Sequence, residues 1–155
     1  MDDTDRQILR VLQENSGQSI SDIARQVGLS SSPCWKRVNR LQADGVIQKQ
    51  VAILDPVTLG FGLTVFVSIE SGDHSSDWLL SFAALLAEKP EVQEFHRMAG
   101  DVDYLLKVVV PDMAAYDLFY KELVAQAALT KVTSRFSMET IKSTTALPQI
   151  GRAHV

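Results

Sequence analysis

Apolar residues recur at helical spacing through the first fifty positions and at mixed spacing afterwards, and this change of period divides the chain. Ile8, Leu9 and Leu12 form one stripe, which Asn15-Ser16-Gly17 interrupts; Thr4 with Gln7 three residues on has the spacing of a capping box. Ile20, Ile23, Ala24 and Val27 form a second stripe, opened by Ser19 and closed by Gly28. A third helix starts around Ser30 to Ser32 with Pro33 in its first turn, where the missing N–H costs nothing, and it runs to Asp44 before Gly45. Its apolar residues Cys34, Val38 and Leu41 share one face.

Val46-Ile47 and a strand-like run through Val51, Ile53 and Leu54 then lead to Asp55-Pro56, and Gly60 and Gly62 bracket Phe61 as a hinge or turn. Beyond them, β-branched and aromatic residues predict a strand over Leu63 to Glu70. Trp78, Leu79, Phe82, Leu85 and Leu86 predict a helix from Ser76 or Asp77 to Glu88. Two strands follow, Val92 to Met98 and Tyr104 to Val110, joined by a short link. A second helix after Pro111-Asp112 carries Met113, Tyr116, Phe119, Tyr120 and Leu123, and Lys131 to Ile141 is a last strand. The order β-α-β-β-α-β implies a ferredoxin-like split sandwich with both helices on one face of an antiparallel sheet. Such a sheet has a second face to cover, and a second subunit is the simplest cover. The expected fold class is α+β: a winged-type helix-turn-helix domain at 1–50, a strand and hinge linker at 51–61, and a ferredoxin-like βαββαβ sandwich at 62–147 that oligomerises.

A chain of 155 residues, 46% hydrophobic and 22% charged, has the composition of a folded soluble protein. No apolar run approaches the roughly 18 residues needed to cross a bilayer. Asp2, Asp3 and Asp5 follow Met1 where a secretory signal would need basic and then apolar residues, so the expectation is a cytoplasmic protein with no membrane partner. One cysteine excludes an internal disulfide framework, and three scattered histidines lack metal-ligand spacing, so no metal or cofactor is expected. A net charge of −4 argues against a protein that coats polyanions indiscriminately. The charge is uneven, however: residues 1–50 sum to +1 and the remainder to −5, and the stretch from Ser30 to Ala43 holds three bases and no acid.

That stretch is the second helix of a helix-turn-helix pattern, with Ala24 where two helices cross and Gly28 in the turn. With Cys34, Val38 and Leu41 turned inward, the outer face displays Ser32, Lys36, Asn39 and Arg40, flanked by Trp35 and Arg37, with Ser31 at the N-terminus. Lys and Arg can bond guanine O6 and N7 or phosphate, Asn can pair with adenine, and serines at a helix start can hold phosphate. The plain alternative is a three-helix bundle whose solvated face is basic. Cys34, in the inward row, reads as packing rather than as a redox sensor. A second candidate is the link Gly100-Asp101-Val102-Asp103-Tyr104, where backbone N–H groups at a glycine and neighbouring carboxylates would suit a free amino acid. A solvated hairpin turn explains the same residues at least as well, and a calcium loop would need more oxygen ligands. G-x-S-x-G, P-loop, G-x-G-x-x-G and H-E-x-x-H motifs are all missing, so no enzyme is expected.

The runs Asp5-Arg6-Gln7-Ile8-Leu9, Val27-Gly28-Leu29-Ser30, Pro33-Cys34-Trp35-Lys36-Arg37-Val38 and Asp44-Gly45-Val46-Ile47 resemble the DNA-binding domain of the Lrp/AsnC, or feast/famine, regulators. Ala99-Gly100-Asp101-Val102-Asp103-Tyr104-Leu105-Leu106 and Val110-Pro111-Asp112-Met113-Ala114-Ala115-Tyr116 resemble that family's ligand-sensing domain, so the likeness covers about Met1 to Leu147. It implies a transcriptional regulator of double-stranded DNA whose homodimers assemble into tetramers or octamers, with an amino-acid effector bound between dimers. The effector residues it implies are Gly100, Asp101, Asp103 and Tyr104, with Met113 and Tyr116 from the following helix. Within the family, Pro33 to Arg37, His74-Ser75-Ser76-Asp77-Trp78, Phe95 to Gly100, Ser137-Met138-Glu139 and Lys142-Ser143-Thr144-Thr145 resemble the cysteine-responsive activators of detoxification genes. L-cysteine is therefore the expected effector. The rivals are a broad leucine-type responder, a sensor module without DNA binding, and an enzyme on a ferredoxin-like sandwich. The tail 148–155 matches nothing in the pattern and is expected to be a cloning remnant, so His154 carries no functional weight.

Overall fold

The computed structural model describes residues 1–148, so nearly all of the tail set apart above, with His154, lies outside the described residues. Two compact units are present among the described residues: one from Leu54 to Ile141, the other formed by Met1–Ile53 with residues 142–148.

The first unit opens with α1 (Asp3–Glu14), whose capping box is made by Asp2 and Asp5 rather than by Thr4 and Gln7. The Asp5 N–H donates to Asp2 Oδ1 at 2.8 Å and the Asp2 N–H donates to Asp5 Oδ2 at 3.2 Å. Two carboxylates at this spacing suit the positive end of a helix better than neutral side chains do. Helix α2 (Ile20–Val27) is capped by Ser19 and ends at Gly28, whose φ of +72° is left-handed and favours glycine. The Leu29 N–H closes the turn on the Ala24 carbonyl at 2.9 Å. Helix α3 (Ser31–Ala43) then buries Cys34, Val38 and Leu41 against Ile8, Leu9, Val11, Ile23 and Ala24. Leu147 lies against α1, exchanging two bonds with the Gln13 side-chain amide at 2.7 and 3.3 Å. The strand expected through Val51, Ile53 and Leu54 is not formed: these side chains are exposed and their backbone pairs with no ladder among the described residues. β-branched residues fit a strand, but a strand also needs an edge to join.

The second unit has the element order β1 (Leu63–Glu70), α4 (Ser76–Ala87), β2 (Val92–Arg97), β3 (Tyr104–Val110), α5 (Met113–Gln126) and β4 (Lys131–Phe136). The strands align in the order β2-β3-β1-β4, every pair antiparallel, with Val67 opposite both Leu106 and Ser134. Side chains alternate between faces. Val65, Val67 and Ile69 of β1 with Tyr104, Leu106, Val108 and Val110 of β3 therefore face Phe82 and Leu86 of α4 and Tyr116, Phe119 and Leu123 of α5. The opposite sheet face is mixed rather than simply apolar. Phe66, Leu105 and Val109 alternate there with Ser68, which accepts from Arg135 Nη1 at 2.9 Å, and with Lys107, 3.8 Å from Glu94. Any cover for this face has to match polar groups as well as apolar ones.

Candidate functional site

Helix α3 carries the first candidate surface. Because Cys34, Val38 and Leu41 are buried, helical geometry directs Ser32, Lys36 and Asn39 to the opposite side. Trp35 beside them is 55% exposed, unusual for so large an apolar ring. Ser31, at the start of the helix, lies 3.1 Å from the Ser21 hydroxyl, so the two helices of the motif meet at a pair of serines.

Arg37 and Arg40 are placed differently. Both turn along α3 towards the start of α1 and bond to carboxylates there. Arg37 Nη1 donates to Asp2 at 2.7 and 2.9 Å and to Asp5 Oδ1 at 3.0 Å, while Arg40 Nη2 donates to Asp5 Oδ2 at 2.7 Å. The Asp5 side chain is 2% exposed and that of Arg40 is 53% exposed, so the pair runs from the core outwards. The Arg37 hydrogen bond, helped by the Asp5 N–H, holds the Asp2 carboxyl at about 2, below the usual carboxylate range. The sequence pattern treated both arginines as members of the exposed face. It missed that acids 32 to 35 residues earlier in the chain engage them. Cys34 is fully buried, and burial raises its thiol pKa.

The second unit contains a pocket of about 290 Å³ at the end of the β2–β3 hairpin. His74, Ser75, Ser76 and Leu79, from the start of α4, form one wall. Arg97, Met98, Asp103 and Tyr104 form the other. Tyr104 is the floor: its ring lies 5.5 Å from those of both Trp78 and Phe95, within the core. Asp103 is fixed on three sides. Its Oδ2 accepts the Ser71 N–H at 2.8 Å, its N–H donates to the Ile69 carbonyl, and its carbonyl accepts the Met98 N–H.

Of the six effector residues expected from the sequence, this pocket brings together Asp103 and Tyr104. Gly100, with φ of +121°, and Asp101 stand exposed in the link without lining it. Met113 is exposed at the start of α5, and Tyr116 is buried in the core with its hydroxyl bonded to that of Ser134. The core took Tyr116 because the same helical spacing that made it a wall candidate aligns it with Phe119 and Leu123. Arg97 and His74 were missed, although period-2 alternation from Phe95 puts Arg97 on the helix-covered face.

Comparison with known proteins matches residues 1–48 to a family described as winged helix-turn-helix DNA-binding and residues 64–147 to the Lrp/AsnC ligand binding domain. The chain is 48% identical over 149 residues to the DNA-binding transcriptional activator DecR of Escherichia coli K12, covering 96% of this chain and 98% of that protein. It is 47% identical over 148 residues to the glutamate uptake regulatory protein of Zymomonas mobilis, covering 96% and 90%. Among solved structures, an AsnC family transcriptional regulator from Agrobacterium tumefaciens is similar at a TM-score of 0.92 and 55% identity, with 96% and 97% of the two chains covered. A transcriptional regulator of Neisseria meningitidis, solved as its L-Met complex, is similar at 0.91 and 34%, with 96% of each chain covered.

Proposed function

The chain belongs to the Lrp/AsnC family of DNA-binding transcriptional regulators with an amino-acid-binding domain, and on that premise we propose that it is a cytoplasmic regulator whose effector is L-cysteine. The observation that carries the DNA-binding half is the separation of faces on α3: Cys34, Val38 and Leu41 are buried, and on the other side Ser32 and Lys36 stand exposed and Asn39 half-buried, with Trp35 exposed beside them. Ser31, Arg37 and Arg40 complete the interface, the arginines as residues that hold α3 in place and lend positive charge to its edge. A residue already paired with carboxylates is a poor reader of bases but still attracts phosphate.

The effector half rests on the likeness of His74 to Trp78 and of Phe95 to Gly100 to cysteine-responsive activators, segments that both contribute to the pocket holding Asp103 and Tyr104. The exposed Gly100-Asp101 link adjoins that pocket in sequence, and Met113 and Tyr116 are not part of it. The working unit is a homodimer, joined through the mixed sheet face and assembling further into tetramers or octamers. A leucine-type responder is the reading that competes: the L-Met complex of the Neisseria relative is an instance of an apolar effector in this family.

Fluorescence anisotropy on duplex DNA from the protein's own upstream region, with each of the twenty amino acids in turn, tests both halves. Specific binding that changes with cysteine and not with leucine is the expected result. A leucine response without a cysteine one would replace the effector, and absence of specific binding would remove the DNA-binding reading.

A further inference from the structure

The ion cluster between α1 and α3 has one partner that is built in and one that can leave. Asp5 is the built-in partner, buried, with its two oxygens divided between Arg37 and Arg40. The Asp2 side chain is 57% exposed, and its Oδ1 caps α1 by accepting the Asp5 N–H at 2.8 Å. Its Oδ2 is bonded, among the described residues, to Arg37 Nη1 and to nothing else, at 2.7 Å. Arg37 serves both acids from one nitrogen: all three of its bonds leave from Nη1, and among the described residues Nε and Nη2 have no acceptor.

We infer that Asp2 is an internal stand-in for a DNA phosphate, holding Arg37 in the free protein and giving way to a backbone phosphodiester when α3 meets duplex, so that Asp2 sets how tightly the chain grips DNA. The inference rests on the reading of α3 as the DNA-binding helix and deepens it by naming what regulates one contact at its edge. A phosphodiester offers two oxygens that share one negative charge, as a carboxylate does, and a guanidinium meets either with two parallel N–H donors. The exchange is therefore of like for like. An ion pair open to water contributes little, because solvent screens it and two side chains must be held still, so an incoming phosphate has little to displace. Asp5 keeps Arg37 at 3.0 Å and Arg40 at 2.7 Å, so α3 does not lose its seat when Asp2 lets go. Until then the Asp2 carboxylate both occupies Arg37 and repels the same phosphate. That weakens binding to every duplex and leaves base contacts by Lys36 and Asn39 to decide which duplex is held.

Fluorescence anisotropy on the full chain compares a duplex from its own upstream region with an unrelated duplex of equal length, over about 50 to 200 mM salt. Asp2→Asn, which retains a capping side chain, should bind both duplexes about threefold to tenfold more tightly at the low end, and the gain should shrink as salt screens the lost charge. Asp3→Asn is the control for charge alone: Asp3 is exposed one residue on and makes no side-chain bond among the described residues, so its loss should change affinity much less. In an Arg37→Gln background, Asp2→Asn should add nothing beyond what Asp3→Asn adds. Thermal melting reports folding, and Asp2→Ser, a second capping residue, replaces the Asn variant if that one melts early. Equal gains from Asp2→Asn and Asp3→Asn, or a gain that survives Arg37→Gln, would reduce Asp2 to one more surface charge. Affinity unchanged or lowered in both Asp2 variants would make the pair a purely structural one. Either result overturns the proposal and leaves DNA binding by α3 standing, whereas a wild type that holds neither duplex removes the DNA-binding reading itself and the proposal with it.

Discussion

Arg40 reaches from the exposed side of α3 to the buried carboxylate of Asp5 near the start of α1, with 2.7 Å between Nη2 and Oδ2. Arg37 takes the other oxygen of the same carboxylate, so one acid holds two arginines of the helix proposed to face DNA. Asp5 also accepts the Asp2 N–H, which ties this contact to the cap of α1. The orientation of α3 thus depends on a carboxylate buried against α1.

Replacing Asp5 by Ala should therefore destabilise the DNA-binding unit and weaken DNA binding together. Losing one partner of a fully buried pair costs about 3–5 kcal/mol, but the half-exposed Arg40 can return to water, so about 2–3 kcal/mol is expected. Arg40→Ala leaves Asp5 with Arg37 and should cost only about 1 kcal/mol. Urea unfolding of both variants measures the difference. Equal costs would mean that Arg37 does not share the carboxylate in solution.

Lys36 and Asn39 should behave in the opposite way. They point away from Cys34, Val38 and Leu41 and make no side-chain bond among the described residues, so their replacement by Ala should leave unfolding almost unchanged. Specific DNA affinity should fall by about 1–3 kcal/mol for whichever of them reads a base, and a phosphate contact by Lys36 would show as a salt slope shallower by about 1. Operator binding unaffected by both changes would move the interface off this face.

The contrast between Asp5 and Lys36 also marks what was legible beforehand. Among the described residues, periodicity located the five helices and the four strands of the sheet, because each buries a face set by local spacing. It could not separate Arg40 from Lys36, four residues apart on one helix, since the acid that claims Arg40 lies 35 residues away in sequence. The cap of α1 failed for a similar reason: Asp2-Asp5 and Thr4-Gln7 have the same spacing, and the arginines of α3 add to the hold of the former. Val51 to Leu54 has strand composition without an edge to join. The motif named Asp103 and Tyr104, which line the pocket, together with Gly100 and Asp101, which do not. Arg97 was overlooked because a lone cation at a strand end looks like solvated surface until the sheet face it shares with Phe95 is known.

Acid should erode the same α1–α3 contact in a defined window. The Asp2 carboxyl is lowered from 3.8 to about 2, first by the Arg37 hydrogen bond and then by the Asp5 N–H. A lowered pKa stabilises the folded state fully above the unfolded value of 3.8, and that contribution disappears as pH falls through the folded value of about 2. Asp2→Asn keeps a capping side chain but loses the charge, so its unfolding should be less dependent on pH across this window than that of wild type. Parallel curves for the two proteins would show that Arg37 and Asp2 do not pair in solution.

Cys34 gives a last test, which bears on how a cysteine response could operate at all. Its side chain is wholly buried in the row formed with Val38 and Leu41, and burial raises its pKa, so both access and thiolate are scarce in the folded state. A thiol reagent should therefore react only as fast as the DNA-binding unit opens, and the rate should rise with urea in step with unfolding. Cys34→Ala removes one buried sulfur and should cost about 1–2 kcal/mol through the space left behind. Cystine meets the same barrier as the reagent, so thiol–disulfide exchange at Cys34, which would release one cysteine, cannot run at the speed of a reversible effector. The variant should then melt earlier yet keep whatever change in DNA affinity cysteine produces. Rapid modification in native buffer with simultaneous loss of DNA binding would reverse the conclusion and make this thiol, within the DNA-binding unit itself, the point at which cysteine acts.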